Sequence, residues 1–226
     1  MADSGMTDKR HGGEMDTHSY VMPGPNQVRF ISNGQTLYLV LGSCISSVLI
    51  GKNEDRYFAT ANHIMIAKEH KSAIIAMKSA KNQIEEMLVF FDKKYRVVRD
   101  RIRCLHLVGA GSKVSDTSFH VHHDNIMETR SVLEREGIDI LFEDTGSYYF
   151  ATYSIRDKHI SVFVENRLSN THLSYIIDME QLFSLDVGSC LALPASGLKP
   201  GNRGFEELVE RGIVIFITGE RSRAGD

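Results

Sequence analysis

Residues 37–41, Leu-Tyr-Leu-Val-Leu, form an unbroken apolar run that ends at Gly42-Ser43-Cys44 and is followed at once by a second run over 45–50. A strand apolar at every position is expected where both faces are covered. Residues 51–55 make a polar turn, and 56–63 return as the second strand of a hairpin. Such a hairpin brings its far ends together. Cys44 opens the first strand and His63 closes the second, so the two are expected to face each other across the ladder.

A cysteine and a histidine meeting at one point is what thiol-based hydrolysis needs. The thiolate attacks a carbonyl carbon, and the imidazole first takes the thiol proton and later returns one to the leaving group. Gly42 is expected to permit a tight backbone before the cysteine. Free N–H groups at this corner, around Gly42, Ser43 and Cys44, are suited to an oxyanion, with Asn62 as a further support beside the histidine. Ser43 and Ser46 lack a GxSxG elbow and read as backbone-bonding or oxyanion-support residues. The bland alternative is that Cys44 is a small buried hydrophobe, the usual fate of a free cysteine.

Further along, the apolar period switches to three and four residues over 70–91, through Ala73, Met77, Ala80, Ile84, Met87, Leu88 and Phe91, which predicts an amphipathic helix. A basic connection over 93–103 leads into an apolar strand over 102–108. Asn125 and Glu128 fit a capping pair for a helix that Gly137 stops. Strands are expected over 138–142, 149–155 and 159–164, the last two joined by a turn at 156–158. Thr171 to Phe183 reads as a helix, 205–211 as a helix stopped by Gly212, and 213–218 as a strand. Strand and helix mix without a βαβ rhythm, so the fold class is α+β, with mixed or antiparallel sheets and helices packed outside. Three parts are expected: a flexible segment over 1–25 closing on Pro23-Gly24-Pro25, a main domain over 26–167, and a carboxy-terminal extension over 168–226 that packs on the domain or docks from it.

Composition excludes several classes. A net charge of −3 argues against a nucleic-acid-binding surface. Cys44, Cys104 and Cys190 have no paired spacing, so neither a disulfide framework nor a CxxC metal motif is indicated. A reducing compartment suits them, and with no apolar run near the roughly 20 residues of a membrane helix, and no secretion signal, a cytoplasmic protein is expected.

A rival site is the cluster of His120, His122, His123 and Asp124 near Asp116. Alternation puts His120 and His122 on one face, but His123 and Asp124 enter a helix at once and need not converge with them. No HExxH pair exists, so solvated or capping histidines are expected and no metal is assigned. Glu143 and Asp144, adjacent on a strand, point to opposite faces and are not expected to share an acid–base role.

Leu41-Gly42-Ser43-Cys44 followed by Ala61-Asn62-His63 resembles the opening of the CheD family, the chemoreceptor glutamine deamidases of bacterial and archaeal chemotaxis. Leu107-Val108-Gly109-Ala110-Gly111, Val121-His122-His123-Asp124-Asn125 and Phe142-Glu143-Asp144-Thr145-Gly146 are similar to later motifs of that family, in the same order. The resemblance implies a protein-glutamine deamidase with Cys44 as nucleophile and His63 as base, no cofactor, and chemoreceptor cytoplasmic domains as substrate. It also implies a CheC-type phosphatase as partner, and so a second reading: a non-catalytic or weakly catalytic chemosensory adaptor. The family carries a threonine six residues before its cysteine, where Tyr38 stands here. Thr36 lies two residues further back on the same face, roughly 7 Å away. Thr36 or Tyr38 is therefore expected to orient the imidazole. Ser147-Tyr148-Tyr149 replaces the glycine and arginine usual after the Glu-Asp turn.

Overall fold

The computed structural model describes residues 19–68, 77–112, 121–185, 193–194 and 203–218. Two six-stranded sheets stack face to face. The first runs β1 (Ser19–Val21), β3 (Gln35–Leu41), β8 (Tyr149–Arg156), β9 (His159–Asn166), β10 (Thr171–Asp178) and β12 (Val214–Thr218). The second runs β11 (Leu193–Pro194), β7 (Ile140–Thr145), β6 (Ile102–Gly109), β4 (Ile45–Asn53), β5 (Arg56–Asn62) and β2 (Val28–Ile31). Neighbours are antiparallel except β1 with β3, β6 with β7, and β11 with β7, which are parallel. The architecture is α+β, as the mixed periodicities predict.

Alternation assigns each strand its faces. Leu37, Leu39 and Leu41 of β3 meet Val48 and Ile50 of β4, with Tyr153, Val162 and Tyr175 from the first sheet, in a core between the sheets. A second core forms on the far side of the second sheet, where α1 (Ala80–Tyr95) and α2 (Val121–Arg135) lay Ile84, Met87, Phe91, Val132 and Leu133 on Ile45, Leu49, Cys104 and Leu107. The strands β4 and β6 are covered on both sides, hence their continuous apolar runs. Gly51 lies directly under α1: a Cβ there would come within 2.7 Å of the Phe91 ring.

Several expectations need correction. Residues 77–79 are not helical; α1 starts at Ala80, because Ser79 and Asn82 form a reciprocal capping box that ends the run of the period. Residues 69–76 lie outside the described residues. Residues 171–178 are strand β10, not helix: Tyr175 and Ile177 face the core and their neighbours face out, a period of two. Only Met179–Ser184 is helical, as α3, with Asp178 capping it. β10 pairs along its length with β9, and β12 closes that edge beyond α4 (Arg203–Glu210). The carboxy-terminal part is thus woven into the first sheet and does not merely pack on the domain. Similarly, β1 and the loop after it are built into the molecule, so the flexible lead-in expected over 1–25 does not extend to its last residues.

Candidate active site

β4 and β5 form the expected hairpin, paired from Asn53 with Arg56 up to Val48 with Ala61, and bridged again by Ile45 with Ile64. That register sets Ser46 opposite His63 and Cys44 opposite Met65. Cys44 and His63 therefore share a face as diagonal neighbours, about 7–8 Å between Cα atoms, and do not stand directly opposite each other. Between the two paired stretches the ladder is opened: Asn62 turns its side chain back, and Oδ1 accepts the Ser47 N–H at 2.7 Å. Asn62 is a backbone fastener here.

The Cys44 corner is held by its carbonyls. Gly111 N–H donates to Gly42 O at 2.8 Å, Ala110 N–H donates to Cys44 O at 2.7 Å, and Asn125 Nδ2 donates to Ser43 O at 3.2 Å. A peptide plane sets its N–H opposite its C=O. Fixing the carbonyls of Gly42 and Ser43 inward thus aims the N–H groups of Ser43 and Cys44 the other way. Neither has an acceptor among the described residues. Two preorganised donors beside a sulfur have the form of an oxyanion site.

Asn125 is 1 % exposed and fully used: it also donates to Met65 O at 3.0 Å and accepts from Ala67 N–H at 2.8 Å. It is a residue of α2, four positions in from Val121, and not the expected helix cap. Its side chain leaves the helix to tie the cysteine corner to the segment after His63. The required glycine is also not the expected one. Gly42 has open space around it, whereas a Cβ on Gly109, at φ +112°, would lie 2.4 Å from Cys44 O. Ala110 then adopts φ 56° to deliver its N–H.

His63 is half-buried, and Nδ1–H donates to Pro23 O at 3.2 Å, which leaves the Nε2 lone pair for a thiol proton. The loop bearing Pro23 is pinned to the same residue: Asn26 N–H donates to His63 O at 2.8 Å and His63 N–H to Gln27 O at 3.1 Å. The orienting group is therefore a backbone carbonyl, which sequence cannot advertise. Thr36 and Tyr38 do not take this role. Both lie on the outward face of β3, where Thr36 Oγ1 and Ser154 Oγ are 2.7 Å apart and Tyr38 packs its ring between Tyr20 and Phe150. Leu37, Leu39 and Leu41 occupy the face turned toward the second sheet.

Cys44 is half-buried against the inter-sheet core, and burial pushes its thiol up from the ordinary range. Among the described residues no hydrogen bond joins Cys44 Sγ to His63. Burial thus favours the protonated thiol at rest, and proton transfer has to accompany attack.

Of the histidine cluster, His120 and Asp116 lie outside the described residues, His122 and His123 lie in the first turn of α2, and Asp124 meets Lys68 at 2.9 Å near the surface. Among the described residues no group of three His, Cys, Asp or Glu is placed to hold a metal ion. Glu143 and Asp144 do diverge. Glu143 takes a paired contact from Arg130 and a 2.7 Å bond from Thr145, whereas Asp144 faces His106 between the sheets. Cys104 is buried and its thiol is pushed far up by desolvation; Cys190 lies outside the described residues. No helix among the described residues is long and apolar enough to cross a membrane. No family model matches the chain, and no curated protein matches it either.

Proposed function

We propose that the chain is a cysteine-dependent protein-glutamine deamidase of CheD type, acting in the cytoplasm on the cytoplasmic domains of chemotaxis receptors. The observation that carries this reading is the Ser43–Cys44 corner. Its carbonyls are tied down by Gly111, Asn125 and Ala110, and among the described residues its two N–H groups have no acceptor beside a half-buried sulfur. Cys44 Sγ attacks the carboxamide carbon and the oxygen takes up charge between the N–H groups of Ser43 and Cys44. His63, oriented by Pro23, receives the thiol proton and gives it to the departing ammonia. Water then cleaves the thioester, giving glutamate and free thiol. The motif order set out above supplies the substrate class.

A second reading has an observation in its favour. The thiol of Cys44 is raised by burial and stands apart from the imidazole, as suits a chemosensory adaptor that binds receptors or a CheC-type phosphatase with little or no turnover. Mass spectrometry of receptor fragments after incubation with the wild type and with Cys44→Ala separates the two. Amide-to-acid conversion by the wild type alone supports the deamidase. Conversion that persists in the variant eliminates the nucleophile, and saturable binding without conversion by either favours the adaptor.

A further inference from the structure

We infer that Tyr148 is a positioning residue for the Ser43–Cys44 corner, acting through Gly111, a role that rests on the oxyanion reading above. The Gly111 N–H holds the Gly42 carbonyl at 2.8 Å, and so sets the direction of the Ser43 N–H on the other side of that peptide. Gly111 is buried, and the Tyr148 ring is what lies on it. A Cβ there would come within 2.5 Å of Tyr148 Cε1 and 2.7 Å of the Ser147 carbonyl carbon, closer than carbon side chains pack. Unlike Gly109, Gly111 takes no positive φ. It is glycine for close approach, not for backbone freedom.

The ring is delivered by a turn anchored from both sheets. Between β7 and β8, Gly146 N–H donates to Gly109 O at 3.0 Å, at the end of β6. The Ser147 hydroxyl donates to Asn166 Oδ1 at 2.8 Å, at the end of β9, and Tyr148 O accepts from Arg167 N–H at 2.8 Å. Asn166 Oδ1 also accepts the N–H groups of Leu168 and Ser169, at 3.0 and 3.2 Å, which makes the anchor itself a closed turn. With the backbone fixed on both sides, the half-buried ring is held against Gly111. Ser147-Tyr148-Tyr149 is also the stretch that departs from the CheD pattern, and Gly111 is the residue on which that departure bears.

An oxyanion site works when its donors do not reorganise as charge develops. A ring over the Gly111 peptide keeps water from its hydrogen bond to Gly42, and lower local polarity strengthens that bond. The Ser43 N–H then keeps its aim while the carboxamide oxygen takes up charge. Without the ring, Gly111 N–H and Gly42 O each gain water as an alternative partner, and the donor behind them loosens. The contact is made by ring carbons, so phenylalanine at this position keeps it. A residue that served packing alone would cost stability and leave turnover per folded molecule unchanged.

The test has two readouts on the full chain, the first of which needs no substrate. Amide hydrogen exchange, followed by NMR, compares the wild type with Tyr148→Ala and Tyr148→Phe. In Tyr148→Ala the Gly111 amide exchanges at least roughly tenfold faster, while the His63 amide, bonded to Gln27 O, keeps its wild-type rate. Tyr148→Phe matches the wild type at both. Steady-state conversion of receptor fragments is the second readout: kcat of Tyr148→Ala falls about tenfold, less than the roughly 10²–10³ expected for outright removal of a donor, with KM unchanged, and Tyr148→Phe restores it. Gly111→Ala, which forces the same contact apart, also lowers kcat, and the double variant loses less than the product of the two single losses. An unaltered Gly111 rate in Tyr148→Ala overturns the clamp. So does equal acceleration at Gly111 and His63, an unchanged kcat beside faster Gly111 exchange, or a raised KM at unchanged kcat. A wild type that converts no amide sinks the deamidase, and the exchange readout then decides the clamp alone. Unaltered exchange beside normal conversion sinks the clamp and leaves the deamidase standing.

Discussion

Two histidines on the second sheet point into the same inter-sheet space and have opposite fates. His106, 0 % exposed, accepts from Tyr153 O–H at 2.7 Å on Nδ1 and donates from Nε2 to Asp144 at 3.1 Å. That set spans both sheets, is closed, and has every hydrogen satisfied; the phenol of Tyr153 is held well above its ordinary range, first by burial and then by Tyr175 and Asp144. His63 sits at the rim with one nitrogen fixed and the other free, next to an orphan hydroxyl, two unpaired N–H groups and a half-buried thiol. A completed polar network gives rigidity and a defined sheet-to-sheet register. An incomplete one keeps hydrogen-bonding capacity in reserve for a ligand. Composition does not separate the two cases; the tally of unmet donors and acceptors does.

The contrast is open to direct attack. The largest effect belongs to the rim: Cys44→Ala should lower amide conversion by a factor of about 10³ or more while leaving the thermal midpoint nearly unchanged, as read by mass spectrometry beside calorimetry. Next comes the sealed set. His106→Leu strands the Tyr153 hydroxyl and the Asp144 carboxylate and should cost about 3 kcal/mol in denaturant unfolding, with kcat per folded molecule preserved. Asn125→Ala breaks three bonds and should cost about 2 kcal/mol while also lowering kcat, because the Ser43 carbonyl, and with it the Cys44 N–H, loses its orientation. Thr36→Val removes one hydrogen bond to Ser154 and should cost about 1 kcal/mol with activity untouched. A kinetic effect of Thr36→Val equal to that of Asn125→Ala would erase the distinction between the two sheets' roles.

A pH profile sharpens the same contrast. Burial raises the Cys44 thiol, and a folded value above the unfolded one favours the protonated form in the fold. The stabilising contribution is present below the unfolded thiol range and is lost as pH rises toward the folded value. Alkylation of Cys44 should accordingly keep accelerating past the ordinary thiol range, and a plateau near neutrality would contradict a protonated resting sulfur.

Much of the fold was readable because β4, β5 and β6 are covered on both sides and announce themselves as apolar runs, with a hairpin whose ends fall where Cys44 and His63 stand; the run over 37–41 misled in one respect, since β3 turns Tyr38 and Val40 outward and is covered on one face only. β10 was not, because Ile176-Ile177 beside Tyr175 and Leu173 mimics a helical stripe when the pairing partners are unknown, and only the ladder with β9 decides between periods. The site was half legible. Cys44, His63 and the Ser43 corner carry side-chain or motif signals. Pro23 acts through its carbonyl, which every residue possesses, and Asn125 acts from within a helix, where polar residues usually face water. Gly109 was visible as part of a glycine-rich turn, but that its missing Cβ makes room for Cys44 O follows only from three-dimensional approach.

The attachment of β1 has a mechanical consequence. Among the described residues Ser19, Tyr20 and Val21 pair with β3, on one side, and the next few residues run straight to the carbonyl that aims the His63 ring. Tension applied to the chain ahead of Ser19 is therefore transmitted, through a short edge and a proline loop, to the orientation of the base. A bulky tag or tether at that end has leverage over the imidazole that the same load placed on the turn between β8 and β9 lacks.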